Sequence, residues 1–97
     1  MAIYFIGLLD IHDPAGFEEY VPRAAATSTA AGGEILALDD NPTTHEGKLP
    51  GRRVILLRFE DKAAFEKWYE GEAYRPVKPI RLNSATTHFG ITVQGMD

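Results

Sequence analysis

The chain has 97 residues, no cysteine, 10 basic against 14 acidic side chains and a net charge of −4. The missing cysteine excludes a disulfide scaffold, a thiolate zinc site and thiol catalysis, and the acidic balance argues against a face built to hold a nucleic-acid backbone. Hydrophobic residues at 44% and charged residues at 25% are ordinary globular values. One domain spanning residues 1–97 is expected, burying roughly 60–65% of its unfolded surface, a modest core that favours a partner.

The run Ile3-Tyr4-Phe5-Ile6-Gly7-Leu8-Leu9 reads as a strand continuing to Ile11. It is too short for a membrane helix, which needs about 20 apolar residues, and it lacks the basic flank of a leader, so a cytoplasmic location is expected. Asp13-Pro14 is a helix start, an N-cap followed by proline at the first helical position. Phe17, Tyr20, Val21, Ala24 and Ser28 recur at helical spacing up to Ala31, and Gly32-Gly33 ends the helix. Pro22 removes a backbone donor and is expected to kink or split it.

Glu34 to Leu38 is a short strand and Asp39-Asp40-Asn41-Pro42 a turn, beyond which Thr43 to Glu46 are expected to extend the strand. Arg52 to Phe59 holds the strongest apolar run. Asp61 caps a second helix carrying Ala64, Phe65, Trp68 and Tyr69, and Gly71 ends it. Tyr74 to Leu82, with Pro76 and Pro79, reads as a short or irregular helix. Thr86 to Val93 alternates, with Thr87, Phe89, Ile91 and Val93 expected on one face.

This order is β-α-β-β-α-β, the split βαβ or ferredoxin-like arrangement, an α+β sandwich with four strands and helices on one face. The first and third strands are apolar on both faces: Phe5 and Leu9 oppose Tyr4, Ile6 and Leu8, and Ile55 and Leu57 oppose Val54 and Leu56. Strands of that kind are buried on both sides. The helices of one chain cover one side, so a second copy packed sheet to sheet is expected on the other. The plain alternative is a C-terminal segment folded over the open face.

Tyr4 to Asp10 leading into Asp13-Pro14, then Tyr20, Gly32-Gly33, Glu46-Gly47, Arg53-Val54-Ile55 through Phe59, Trp68-Tyr69, Tyr74 and Arg81-Leu82 together form a pattern. It resembles the uncharacterised family known as domain of unknown function 1330 (DUF1330), of the dimeric α+β barrel superfamily, over nearly the whole chain. The resemblance implies a ferredoxin-like protomer and a homodimeric barrel, and no agreed activity. The chain departs from the family pattern at Leu49, where a tryptophan is usual, at Arg58, where an acidic residue is usual, and in Gly71-Glu72-Ala73-Tyr74.

Three groups of side chains carry candidate chemistry. His45 and Glu46 are a possible acid/base pair, since a carboxylate can tune an imidazole that titrates near neutrality; the alternative is a polar edge. His88 is a further catalytic candidate. Strand parity places it with Asp10 and Arg58 on one face, where they form either an anchor for an anionic small molecule in an apolar cavity or an interface ion-pair cluster. Trp68, Tyr69, Tyr74 and Arg81 form the third group. They either stack on and clamp a carboxylate-bearing ligand or belong to the core, with Arg81 paired to an acid such as Glu72.

The chain has no glycine-rich nucleotide loop, and Ser28 and Ser84 lack a nucleophile-elbow context. His12, His45 and His88 lack the spacing of a local metal motif. No metal and no cofactor are therefore expected. Two functions fit: a small dimeric binding protein or accessory domain that holds an anionic small molecule in a cleft, or a cofactor-independent enzyme such as an isomerase, dehydratase or monooxygenase acting on a small organic acid or aromatic substrate. Members of the superfamily include such enzymes and haem-degrading proteins; the latter use an asparagine in the first strand, which is absent here.

Overall fold

A computed structural model describes residues 1–97. The elements run β1 (Ile3–Ile11), α1 (Pro14–Ala30), β2 (Glu34–Asp39), β3 (Arg53–Phe59), α2 (Lys62–Tyr69), α3 (Lys78–Ser84) and β4 (Ala85–Gln94). The strands form one antiparallel sheet in the order β2-β3-β1-β4, the ferredoxin-like arrangement expected from the sequence.

The helix starts follow from their caps. The Asp13 carboxylate accepts from the Gly16 N–H at 3.2 Å, and the Asp61 carboxylate accepts from the Ala64 N–H at 2.8 Å. Gly32 ends α1 with a φ of 88°, which favours glycine. Pro22 neither kinks α1 into two pieces nor ends it; the helix is continuous over 17 residues. Pro22 and Glu18 are both exposed, and on a solvent-facing side of a helix water can satisfy a carbonyl that loses its donor. The strand extension over residues 43–46 does not form. Asp40 is tied to the Arg53 guanidinium, with the second contact at 2.8 Å, and the Asp39 carboxylate accepts from the Asn41 N–H at 2.8 Å, so the chain turns away at the end of β2.

The core lies between the helices and one face of the sheet. It contains Phe5, Leu9, Phe17, Tyr20, Leu57, Phe59, Trp68, Tyr74 and Val77. Trp68 stacks on Phe59 with centroids 5.5 Å apart and meets Tyr74 at 4.5 Å. The helix α3 is docked on the start of α1, where the His12 and Asp13 N–H groups both donate to the Ser84 carbonyl at 3.0 Å.

The alternation in β4 is interrupted. Leu8 pairs with Phe89 and Leu9 with Thr87, so His88 is the extra residue of a one-residue slip. A one-residue slip exchanges the faces. Ile91 and Val93 therefore pair with Ile6 and Tyr4 on the open face, at 46% and 41% exposed, while Thr92 pairs with Phe5. This corrects the simple alternation, which put Thr87, Phe89, Ile91 and Val93 together: Thr87 and Phe89 line a cavity on the covered side, and Ile91 and Val93 lie on the open face.

The open face carries Tyr4, Ile6, Leu8, Val54, Leu56, Ile91 and Val93. Only its ends are covered. Gly51 sits over Leu8 and His88, so close that a Cβ there would lie 3.0 Å from the Leu8 side chain. At the other end the Gly95 N–H donates to the Ala2 carbonyl at 2.8 Å, and Asp97 reaches Arg58. The C-terminal segment thus closes one corner and leaves the middle bare. No helix is long and apolar enough to cross a membrane.

Candidate functional site

A cavity of about 70 Å³ lies between α1 and the covered face of the sheet. Its floor is Phe5, Leu57 and the facing pair Gly7 and Gly90. The two glycines leave room for the Phe5 ring; a Cβ at Gly90 would stand 3.0 Å from it. The buried lining residues Tyr20, Ser28, Trp68 and Arg81 mark its inner end, and the half-exposed Val21, Ile35 and Leu38 mark its mouth between α1 and β2.

Arg81 is the unusual member. It is only 7% exposed, yet no carboxylate lies within 4.0 Å of its guanidinium; the arginines that do pair with acids are Arg23, Arg53 and Arg58. The expected pairing with Glu72 does not form. Phenols surround it instead. The Tyr20, Tyr69 and Tyr74 phenols are the groups that act on its charge, and the Tyr20 and Tyr74 hydroxyls lie 2.6 Å apart. Its Nε–H has no partner. Burial pushes the Arg81 pKa down, but the phenolic oxygens of Tyr74, Tyr20 and Tyr69 more than offset this, so the group stays charged.

The phenols are driven apart in the same way. Burial pushes Tyr20 and Tyr74 above the usual tyrosine range. Burial also opposes ionisation of Tyr69, but the nearby Lys78 and Arg81 cations outweigh it and hold that phenol below the usual range. The Lys78 ammonium also lies 4.6 Å from the Tyr69 ring centroid.

Trp68 is both core and cavity wall, so the two readings of that residue do not compete. Its indole N–H donates to the Thr27 hydroxyl at 3.0 Å, which fixes the ring that the cavity sees. Tyr74 is fully buried and does not line the cavity; it holds Tyr20, which does.

The remaining candidates lie elsewhere. His45 and Glu46 are exposed in the loop between β2 and β3, and neither lines the cavity. Asp10 and His88 do meet, with Oδ2 and Nε2 2.7 Å apart on the open face. Arg58 shares that face but pairs across from Tyr4, about 20 Å along β1 from Asp10 by strand rise. The Tyr4 oxygen and then the Asp97 carboxylate, to which its guanidinium donates at 3.4 Å, raise its pKa. No three of the histidine and carboxylate side chains gather as metal ligands would. Cavity residues that escaped the sequence reading as site members include Tyr20, visible there only as a helix-face aromatic, Arg53, and Thr87, whose facing depends on the slip in β4.

The model of the family described as domain of unknown function (DUF1330) matches residues 2–96. The chain belongs to the DUF1330 family. Among solved structures it is similar to SnoaB, a cofactor-independent oxygenase from Streptomyces nogalater, at 18% identity and a TM-score of 0.72, covering 99% of this chain and 94% of that one. RPA0582, a protein of unknown function from Rhodopseudomonas palustris, is 14% identical with a TM-score of 0.79, covering 99% and 83%. HapK from Hahella chejuensis is 17% identical with a TM-score of 0.67, covering 97% and 92%. At these identities the likeness establishes the shared fold. No curated protein matches the chain.

Proposed function

We propose that this DUF1330 member binds a small organic anion in the cavity beneath α1, with Arg81 as the anchor and Trp68 as a wall. One observation carries the reading: a buried guanidinium with no carboxylate and a free Nε–H lines a mainly apolar cavity, whose other guanidinium, Arg53, is already paired with Asp40. A buried cation without a counter-ion costs several kcal/mol by order of magnitude, and an incoming anion offsets that cost. Tyr74 acts by holding Tyr20. Native mass spectrometry of the protein purified from its own host tests the reading. An added mass that disappears in Arg81→Met supports it; retention of the same mass by Arg81→Met refutes it.

A homodimer is part of this proposal. The bare centre of the open face, with Ile6, Leu56 and Ile91, is apolar and unpaired, and a second sheet packed there would bury it. The same mass spectrum reads the state. Ile91→Glu is expected to give monomers, and a wild-type monomer would refute the packing.

A second reading is a cofactor-independent enzyme. It draws on the fold shared with SnoaB and on the buried phenols beside Arg81, which suit an anion formed by proton loss from a substrate. Here Arg81 would hold the developing charge, and the Tyr20–Tyr74 pair would take part in moving the proton. Solvent-hydrogen exchange into bound organic acids, lost in Tyr20→Phe, distinguishes this reading from binding alone.

A further inference from the structure

Two buried side-chain polar atoms in the molecule lack a hydrogen-bond partner: Arg81 Nε and Thr87 Oγ1. They come from different elements, α3 and β4, and both residues line the same cavity. Buried polar groups are almost always paired, so two orphans on residues that line one cavity call for a common explanation. The slip in β4 supplies the placement. Without it Thr87 would not pair with Leu9 while Ile91 pairs with Ile6, and the polar group would sit among different neighbours.

We infer that the ligand carries a second oxygen beside its anionic group, and that Thr87 is the residue that recognises it. This rests on the anion-binding reading of Arg81 and sharpens the ligand class. The Arg81 Nε–H is a charged donor and takes a carboxylate oxygen. The Thr87 hydroxyl can donate to a carbonyl oxygen or accept from a hydroxyl, so a short hydroxy acid and the matching oxo acid both satisfy it. The size fits. A dry cavity of about 150 Å³ holds benzene, so about 70 Å³ suits a frame of three or four carbons. Aromatic acids would have to extend through the mouth at Val21, Ile35 and Leu38.

The test compares three acids of one size, lactate, pyruvate and propionate, by calorimetry on the intact protein. Wild type should prefer lactate or pyruvate over propionate by about tenfold or more, because propionate leaves the hydroxyl buried without a partner. Thr87→Val should abolish the preference and leave propionate binding unchanged, while Thr87→Ser should keep it. Arg81→Met should weaken all acids that bind. Thr87→Val should also raise the ligand-free Tm, since an orphan hydroxyl gives way to a methyl of the same shape. A preference that survives in Thr87→Val, or a Tm that falls there, overturns the role of Thr87 and leaves the anion site standing. Binding that Arg81→Met does not weaken overturns the anion site itself. No binding of any of the three acids overturns the inferred ligand class.

Discussion

On the open face of the sheet, Asp10 holds His88 at 2.7 Å and Asp97 holds Arg58 at 3.4 Å. On the covered face, Arg81 has only phenols around it and one N–H with no partner at all. The open-face charges are half in water, where an ion pair is inexpensive and contributes little. The covered-face charge is deep in the core, where an unpaired cation is costly. The contrast separates a polar cluster that is complete within the chain from one that the proposed anion would complete. Arg53 makes the same point from within the cavity wall. It also lines the cavity, with its guanidinium 5.3 Å above the Phe17 ring, but Asp40 neutralises it.

Four measurements would break or sharpen that contrast. The largest effect is expected on the covered face, where Trp68→Ala should destabilise the fold by about 3–5 kcal/mol in denaturant unfolding, the cost of deleting a buried aromatic. A loss below about 1 kcal/mol would place Trp68 at a collapsible rim. Next is Arg81→Met. Replacing an unpaired buried charge with an apolar side chain of similar length is expected to leave stability unchanged or raise it by about 1–2 kcal/mol, while anion binding falls at least about tenfold. A large destabilisation would instead make Arg81 a structural element of the phenol cluster.

The third measurement is alkaline stability. Burial raises Tyr20 and Tyr74 above their ordinary value of 10.0 in the folded chain. Above about pH 10 the unfolded chain therefore loses those protons first, and stability falls as pH rises. The lowered Tyr69 acts in the opposite direction, adding stability as pH rises through its folded pKa, but one phenol is set against two. Melting temperature should drop between about pH 9.5 and 11, and Tyr74→Phe should flatten the drop. An unchanged slope in Tyr74→Phe would remove the buried pair as its cause. The smallest effect is expected on the open face. His88→Ala should cost about 0–1 kcal/mol, because its contact with Asp10 is only partly buried. A larger loss accompanied by dissociation would show that the pair lies inside a dimer contact.

The local devices of this fold were legible in the residues. Asp13-Pro14 and Asp61 announce the helix starts, Gly32-Gly33 the first helix end, and the β-α-β-β-α-β order the ferredoxin-like sheet. These features act over a few residues, by capping, by φ preference or by alternation, so the chain states them directly. Trp68, Tyr74 and Arg81 were also legible as a group, because aromatic and basic residues recur near one another in sequence.

Their relation to a cavity was not legible. Whether Arg81 meets an acid or a ring of phenols depends on how α3 docks on α1, a contact between segments some 70 residues apart in the chain, between Asp13 and Ser84. Asp10, Arg58 and His88 share a face by parity, but only strand register separates Arg58 from the other two. The side on which Thr87, Ile91 and Val93 lie depends on one slipped residue in β4, which alternation alone does not reveal. Sequence periodicity sets which residues share an element's face; long-range packing and register decide which of those faces meet, and therefore where a charge is left without a partner.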